Sequence, residues 1–350
     1  MSPAAFCATL LRWYEANGRD LPWRHTRDPY AIWLSEVILQ QTRISQGTAY
    51  WQRFMQAWPT VEALAAATED EVLKMWQGLG YYSRARNLHT AARQIVALGQ
   101  FPRTLEEIRR LKGVGDYTAA AIASLAFGVT AAAVDGNVYR VLSRLYAIDT
   151  PINTTEGKHL FARLADELIH AAPQTALSPQ GEKACGASLF NQAMMDFGAT
   201  QCTPQSPSCL LCPFMEDCEA HRRGLAEQLP VKLKKTKITT RHLIYIYVRC
   251  HGFTAIHRRG SGDIWQGLWE PPLFEDAPLP QWSGHLKQLV TGVKHVLTHR
   301  ILLADFYLLD TDQRPPLPDD YIWVPESRLS DYAVPRLVEK LVETYLYVCL

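Results

Sequence analysis

Apolar positions along the chain repeat with two different periods. In "DPYAIWLSEVILQQTR" the apolar residues return every three to four positions, so the stretch predicts an amphipathic helix. Asp28 is placed to cap it and Pro29 occupies its first turn. Thr68 with Glu71, and Thr104 with Glu107, match the Ser/Thr-x-x-Glu capping box. Gly99 and Gly128 fall where helices should stop. Residues 1–225 therefore read as helices joined by short connections. Beyond them the pattern changes. "HLIYIYVRC" and "TAIHRR" are rich in β-branched and aromatic residues and read as strands. Loops carrying Pro271, Pro272, Pro278 and Pro280 follow, and a helix is predicted near 334–347. Between the two regions, "PVKLKKTKITTR" sets Lys232, Lys234, Lys235, Lys237 and Arg241 in a stretch without apolar periodicity, a linker signature. The expected organisation is an all-α domain over 1–225, a linker over 226–240 and a smaller α+β domain over 241–350.

A length of 350 residues accommodates two domains, and 47% hydrophobic with 20% charged residues describes an ordinary globular composition. No apolar run is long enough to cross a bilayer, and the first residues lack a basic segment before an apolar core. A cytoplasmic or nucleoid setting is expected, in which thiols stay reduced. The net charge of +1 does not advertise a nucleic-acid partner, so any such role has to come from local placement of Lys and Arg. Of the eight cysteines, Cys7, Cys185, Cys250 and Cys349 are scattered and read as buried thiols. Cys202, Cys209, Cys212 and Cys218 crowd one loop. Their spacing offers four soft ligands, for zinc or for an iron–sulfur cluster. Because one loop supplies every ligand, the site reads as structural.

Two glycine turns and two carboxylates carry the candidate chemistry. In "GVGDYT", Gly113 and Gly115 permit positive φ and close approach, and the following helix offers free N–H groups to an anion such as DNA phosphate. An ordinary helix–helix corner is the competing reading. In "QGLGYYSRARN", Tyr81 and Tyr82 stand beside Arg84 and Arg86, an aromatic and cationic grouping suited to nucleic acid. A solvated helix start with one tyrosine tucked inside competes with it. Glu36 shares a helix face with Ile32, Trp33 and Leu39. Burial would raise its pKa into the range of a general acid, unless Arg24 or Arg43 pairs with it. Asp135, in "AVDGNVYRVLSRL", is placed as an N-cap, where it is held and kept charged. Such an anion could stabilise an oxocarbenium-like sugar cation while Glu36 protonates the leaving group.

"LPWR", "WLSEVILQQT", "GLGYYSRARNLH", "LKGVGDYTAAAIASLA", "VDGNVYRVLSRLY", "FNQAMMDFGA" and the cysteine spacing together resemble the adenine DNA glycosylases, the MutY family. The resemblance implies a helix-hairpin-helix glycosylase domain with an iron–sulfur loop, followed by a MutT/Nudix-like domain. It implies a monomer that excises adenine mispaired with 8-oxoguanine or guanine from duplex DNA, in base excision repair. By motif position, Glu36 would protonate the adenine and then activate water, and Asp135 would stabilise the sugar cation. Arg24, Leu39, Gln41, Tyr117 and Gln192 would line the base pocket, with Asn137 beside Asp135. Gly113 and Gly115 would meet DNA phosphate, and Tyr81 would fill the gap next to the oxidised guanine. Cys202, Cys209, Cys212 and Cys218 would hold a [4Fe–4S] cluster on a loop that presents basic groups to phosphate. In the second domain "GDIWQGLWEPP" resembles the MutT pattern, and Leu297-Thr298-His299 stands where the family shows Phe-Ser-His. Thr298 and His299 would read 8-oxoguanine. The Arg-Glu-x-x-Glu-Glu box is missing, so nucleotide hydrolysis is not expected.

Two other readings compete. An endonuclease III-like glycosylase and lyase for oxidised pyrimidines would share the hairpin, the aspartate and the cysteines, but it places a lysine nucleophile where this chain has Tyr117. A non-catalytic iron–sulfur protein would bind mispairs without releasing a base, and would leave Glu36 without a purpose.

Overall fold

Capping and periodicity become helices where the sequence predicts them. The computed structural model describes residues 1–233 and 238–349, so Lys234, Lys235 and Lys237 of the expected linker lie outside the described residues, as does the side chain of Cys349. In chain order the first elements are α1 (Pro3–Asn17), α2 (Pro29–Ile38), α3 (Ile44–Ala57), α4 (Val61–Ala66), α5 (Glu69–Trp76) and α6 (Ser83–Leu98). They continue with α7 (Leu105–Arg109), α8 (Asp116–Phe127), α9 (Gly136–Tyr146) and α10 (Thr155–His170). A hairpin, β1 (Thr175–Leu177) and β2 (Lys183–Cys185), precedes α11 (Gly186–Asp196) and α12 (Glu219–Arg222). Asp28 caps α2 through the Tyr30 and Ala31 amides, both capping boxes close, and Gly128 ends α8 at φ +69°.

Contacts divide the chain into two units. The first comprises Met1–Ala65 and Thr90–Lys234. Its core joins Phe6, Leu10 and Tyr14 of α1 to Val141 and Leu142 of α9, Phe161 of α10 and Phe190 of α11. Ala119, Ala120, Ala121 and Ala123 of α8 are buried and let α2 pack closely beside it. Directly after α11 the chain makes a π-helical turn, Phe197–Gln201, that delivers it to Cys202. Such turns concentrate at functional sites. The β1–β2 hairpin was not anticipated, because its three-residue arms are too short for a period to register.

The second unit comprises Ala66–His89 and Lys235–Leu350, so 66–89, read from the sequence as part of the helical domain, groups instead with the strands. The reason is visible in its bonds: Lys74 Nζ donates to Tyr332 O at 3.1 Å and Arg86 Nη1 to Gln266 O at 2.6 Å. The strands are β3 (Thr239–Arg249), β4 (Phe253–Arg258), β5 (Trp269–Glu270), β6 (Leu273–Glu275), β7 (His285–Val296), β8 (Arg300–Asp310) and β9 (Tyr321–Pro325), and α13 (Arg336–Cys349) closes the chain. One sheet runs β6-β3-β8-β7, with β3 and β8 parallel, and a second runs β5-β4-β9. Leu243, Tyr245 and Tyr247 face α13, while Ile246 and Val248 enter a second core on the opposite face of β3. A strand covered on both faces carries apolar residues without alternation.

Gly186 marks a place where only hydrogen fits, since a Cβ there would lie 1.6 Å from the backbone oxygen of Pro173. Gly186→Ala should cost about 2 kcal/mol or more, because backbone rather than a flexible side chain must move. Gly260→Ala, where a Cβ meets nothing, should stay within roughly 0.5 kcal/mol of wild type. Thermal unfolding of both variants checks the contrast.

Candidate active site

The first unit holds a cavity of about 1150 Å³, lined by residues of α2, α8 and α11, the Asp135 cap and the β1–β2 hairpin. Glu36, Asp135, Arg24, Leu39, Gln41, Tyr117, Asn137 and Gln192 all border it, so the structure gathers the sequence-predicted pocket residues from five separate segments. Arg27, Arg43 and Lys183 are exposed at its edge. A molecule of nearly balanced net charge thus carries a local excess of cations where an anionic ligand would arrive.

Glu36 is only 8% exposed. Burial raises its carboxyl from the ordinary 4.5 to about 7; Asp135 pushes the same way, while the Tyr117 hydrogen bond and Arg24 pull against them. Tyr117, on the first turn of α8, is a phenol held well above its ordinary value, burial being the main cause. It stays neutral, its Oη–H donating to Met195 Sδ at 3.7 Å and lying within hydrogen-bonding reach of Glu36. Arg24 does not form an ion pair with Glu36. Its Nη1 and Nη2 donate instead to Asp196 at 2.8 and 2.7 Å, and Arg19 Nε reaches the same carboxylate at 2.9 Å. Asp196 is fully buried and is held below the usual carboxylate range: burial opposes the shift, and the bonds from Arg24 and Arg19 outweigh it.

Asp135 caps α9, accepting from the Asn137 and Val138 amides at 2.9 Å each. Asn137 Nδ2 adds a third donor at 2.7 Å. Burial nevertheless raises this carboxyl above its ordinary value, with those donors resisting. Asn137 cannot flip, because its Oδ1 accepts from Arg140 Nη2 at 2.8 Å and an arginine has no acceptor to offer in return. Arg140 Nε donates to Cys202 O at 2.8 Å, so a continuous chain of bonds runs from Asp135 to the start of the cysteine loop. Gln192 is likewise fixed, between Tyr14 Oη at 3.0 Å and Ser188 Oγ at 3.1 Å.

Three expectations need correction. Gly113 adopts φ +77°, as a tight turn requires, but Gly115 sits at φ −94° in extended backbone that any residue adopts. A Cβ on Gly115 would meet nothing within the protein, so its bareness matters only to something arriving from outside. Arg84 and Arg86 are half-buried and hold protein rather than phosphate. Arg84 stacks on Trp76 at 5.0 Å and reaches the Leu79 and Gly80 carbonyls, and Arg86 grips Gln266. Burial lowers Arg84 to about 10. Finally, the loop from Cys202 to Cys218 contains no Lys or Arg and carries Leu210 and Leu211, 82% and 83% exposed, at its tip.

None of the four cysteines is in a disulfide. Arg144 Nη1 lies 3.4 Å from Cys202 Sγ and donates to Thr203 O at 2.6 Å. Among the described residues no three His, Cys, Asp or Glu side chains form a closed metal-binding group. The donor chemistry, four thiols on one loop braced by buried arginines, suits a soft metal centre that would convert them to thiolates. In the second unit Tyr81, 53% exposed at φ +46°, hydrogen-bonds Thr298 at 2.9 Å. In the first unit Gln41, bordering the cavity, is exposed at φ +57°, and Ser206 in the cysteine loop is exposed at φ +45°. Non-glycine residues in that conformation cluster at functional sites.

Residues 34–166 match the HhH-GPD superfamily of base excision DNA repair proteins, and residues 244–344 match a NUDIX domain. An adenine DNA glycosylase of Buchnera aphidicola subsp. Acyrthosiphon pisum is 31% identical over 364 residues, covering 99% of this chain and 99% of the relative. The chain belongs to the adenine DNA glycosylase family. Its architecture is the helical HhH-GPD fold joined to a smaller α+β Nudix domain. The mouse adenine DNA glycosylase is 44% identical over 236 residues, 64% of this chain, and the chain spans only 43% of the length of that relative. The structure of a thermostable thymine-DNA glycosylase superposes with a TM-score of 0.55 at 31% identity, covering 63% of this chain and 97% of that one.

Sequence reasoning missed Asp196, Arg19 and Arg140. A carboxylate at the end of "FNQAMMD", one helical turn beyond Gln192, carried the same signal that exposed Glu36. Glu36 also leaves a mark on stability. Its folded pKa of about 7 exceeds the ordinary 4.5, so folding favours the protonated form. That advantage is complete below 4.5 and is lost as pH rises through 7, by about 3 kcal/mol in all. Glu36→Gln should therefore raise the Tm relative to wild type far more at pH 8 than at pH 5, which parallel melts across that range would measure.

Proposed function

We propose that this chain is a monofunctional glycosylase that hydrolyses the N-glycosidic bond of adenine opposite 8-oxoguanine or guanine in duplex DNA. The observation that carries the reading is the pairing of Glu36 and Asp135 in one cation-edged cavity. Membership of a family whose relatives are named adenine DNA glycosylases supports it.

Glu36, holding a proton near neutrality, donates it to a ring nitrogen of a flipped adenine and so weakens the bond to the sugar. Asp135 stabilises the positive charge that develops on the sugar, and its donors keep the carboxylate aimed rather than free to rotate. Glu36, now ionised, takes a proton from water as it attacks. Tyr117 keeps Glu36 oriented throughout. Gln192, Arg24 and Leu39 shape the base pocket, and Gly113 and Gly115 let a phosphate approach the α8 amides. Tyr81 and Gln41 are the exposed residues suited to enter the base stack, and Thr298 and His299 are the reader of the oxidised base. Cys202, Cys209, Cys212 and Cys218 hold a [4Fe–4S] cluster, which when bound crosslinks the loop that Arg140 and Arg144 brace. A protein that is brown and contains iron with inorganic sulfide supports that assignment; a colourless, zinc-loaded one refutes it.

The lyase alternative needs an amine nucleophile. Position 117 supplies a phenol, and the lysine bordering the cavity is Lys183, exposed on β2. Incubation with an adenine:8-oxoguanine duplex should release adenine and leave a strand that breaks only after hot alkali. Strand cleavage without alkali would refute the monofunctional reading. The rate should fall as pH rises through about 7, where Glu36 loses its proton. Glu36→Gln should lower release by roughly 10²–10⁴-fold while duplex binding persists.

A further inference from the structure

The turn that carries Thr298 and His299 is held by more than its own backbone. Leu297 N–H donates to Arg300 O at 2.8 Å, closing the turn, and Thr239 N–H donates to His299 O at 3.2 Å. The side chain of Arg300, the first residue of β8, reaches Asp263 at 2.6 Å. Arg241 Nη1 contacts both oxygens of the same carboxylate at 2.8 Å, and Arg259 Nη2 contacts one at 2.8 Å. One carboxylate thus gathers arginines from β3, from the residue after β4 and from the foot of the turn. These bonds, with the Ile264 amide, hold Asp263 at about 2 against the opposing effect of burial. It stays ionised at any working pH.

The loop bearing Asp263 grips the turn from its other side as well. Arg259 Nε donates to Ile264 O at 2.9 Å, and its guanidinium lies 5.9 Å from the ring of Trp265. Trp265, itself at φ +61°, brings its ring to 5.8 Å from His295, just before the turn. The arginines are not equally dependent on the hub. Arg241 also pairs with Glu275 and Arg259 with Glu270, whereas Arg300 has Asp263 as its ion-pair partner among the described residues. Removing the charge of Asp263 therefore strands the cation adjacent to the turn and leaves the other two paired.

We propose that Asp263 is a positioning residue for the base-reading turn, fixing Thr298 and His299 through Arg300 and so setting the preference for 8-oxoguanine over guanine opposite adenine. The inference rests on the assignment of Thr298 and His299 as the reader of the oxidised base. Asp263 touches no nucleotide in this scheme. It acts by removing the freedom of the turn, so that Thr298, already bonded to Tyr81, is presented in one orientation.

The test uses the full chain and single-turnover release of adenine from adenine:8-oxoguanine and adenine:guanine duplexes, well below the Tm of every variant. Asp263→Asn should lower the ratio of the two rates about tenfold, the order expected when one charge-assisted bond is lost. Arg300→Met should lower it equally, and the double variant should be no worse than either single one, because both cut the same link. Arg249→Met, which breaks the Arg249–Asp310 pair in the same sheet, should reduce Tm and leave the ratio unchanged. Additive losses in the double variant, or an equal fall in the ratio for Arg249→Met, would reduce Asp263 to a general support of the domain and overturn the proposal. Thr298→Val separates the two layers. If it lowers the ratio while Asp263→Asn does not, the positioning role alone fails; if it leaves the ratio unchanged, the assignment of the reader fails and this inference with it.

Discussion

Keeping one carboxyl group dry without letting a cation neutralise it is the constraint around which the first unit is built. Glu36 lies in a cavity with Arg24, and an unoccupied guanidinium there would form an ion pair and pull the acid down into the ordinary carboxylate range. Asp196 prevents this. It is fully buried and engages Arg24 and Arg19 together, so the positive charge near Glu36 is already compensated. A buried ion pair adds little net stability against an apolar replacement. Its use here is positional, since it spends the charge of Arg24 on a partner other than the acid.

The second carboxylate obeys the opposite rule. Asp135 receives two backbone amides and a side-chain amide, the arrangement that favours an ionised group, although burial still lifts it. Its side-chain donor is oriented by Arg140, which also holds the carbonyl of Cys202. The thiol loop and the cavity are consequently parts of one hydrogen-bonded structure. A change in how the loop is closed reaches Asp135 through fixed donors rather than through a flexible segment.

What could be read in advance follows from how local each signal is. Asp28, the two capping boxes and Gly128 depend on neighbours three or four residues away, and the sequence displays them fully. Glu36 was legible because its apolar neighbours share its own helix. Asp196 offered a similar signal on its own helix, but its partners did not, since Arg19 and Arg24 are 177 and 172 residues distant and no period connects them. Arg84 and Arg86 looked like a phosphate site because charge is visible in a sequence and carbonyl acceptors are not. Gly115 looked like a strained position because glycine permits positive φ, but permission is not use. The grouping of 66–89 with the strands rests on side-chain bonds such as Lys74 to Tyr332, which a chain-order reading cannot anticipate.

Tyr117 joins these threads. It faces Glu36 from the first turn of α8 and is held neutral by burial, so it orients the acid while adding no charge. A lysine at the same place would do either of two things. It would supply the amine for a Schiff base, or it would place a cation against Glu36, lowering that carboxyl and removing its proton near neutrality. A Schiff base needs that amine unprotonated, so the nucleophile and the cation are alternative states of one side chain. With a phenol at 117 the cavity keeps the raised carboxyl of Glu36 beside a neutral partner and presents no amine at this position.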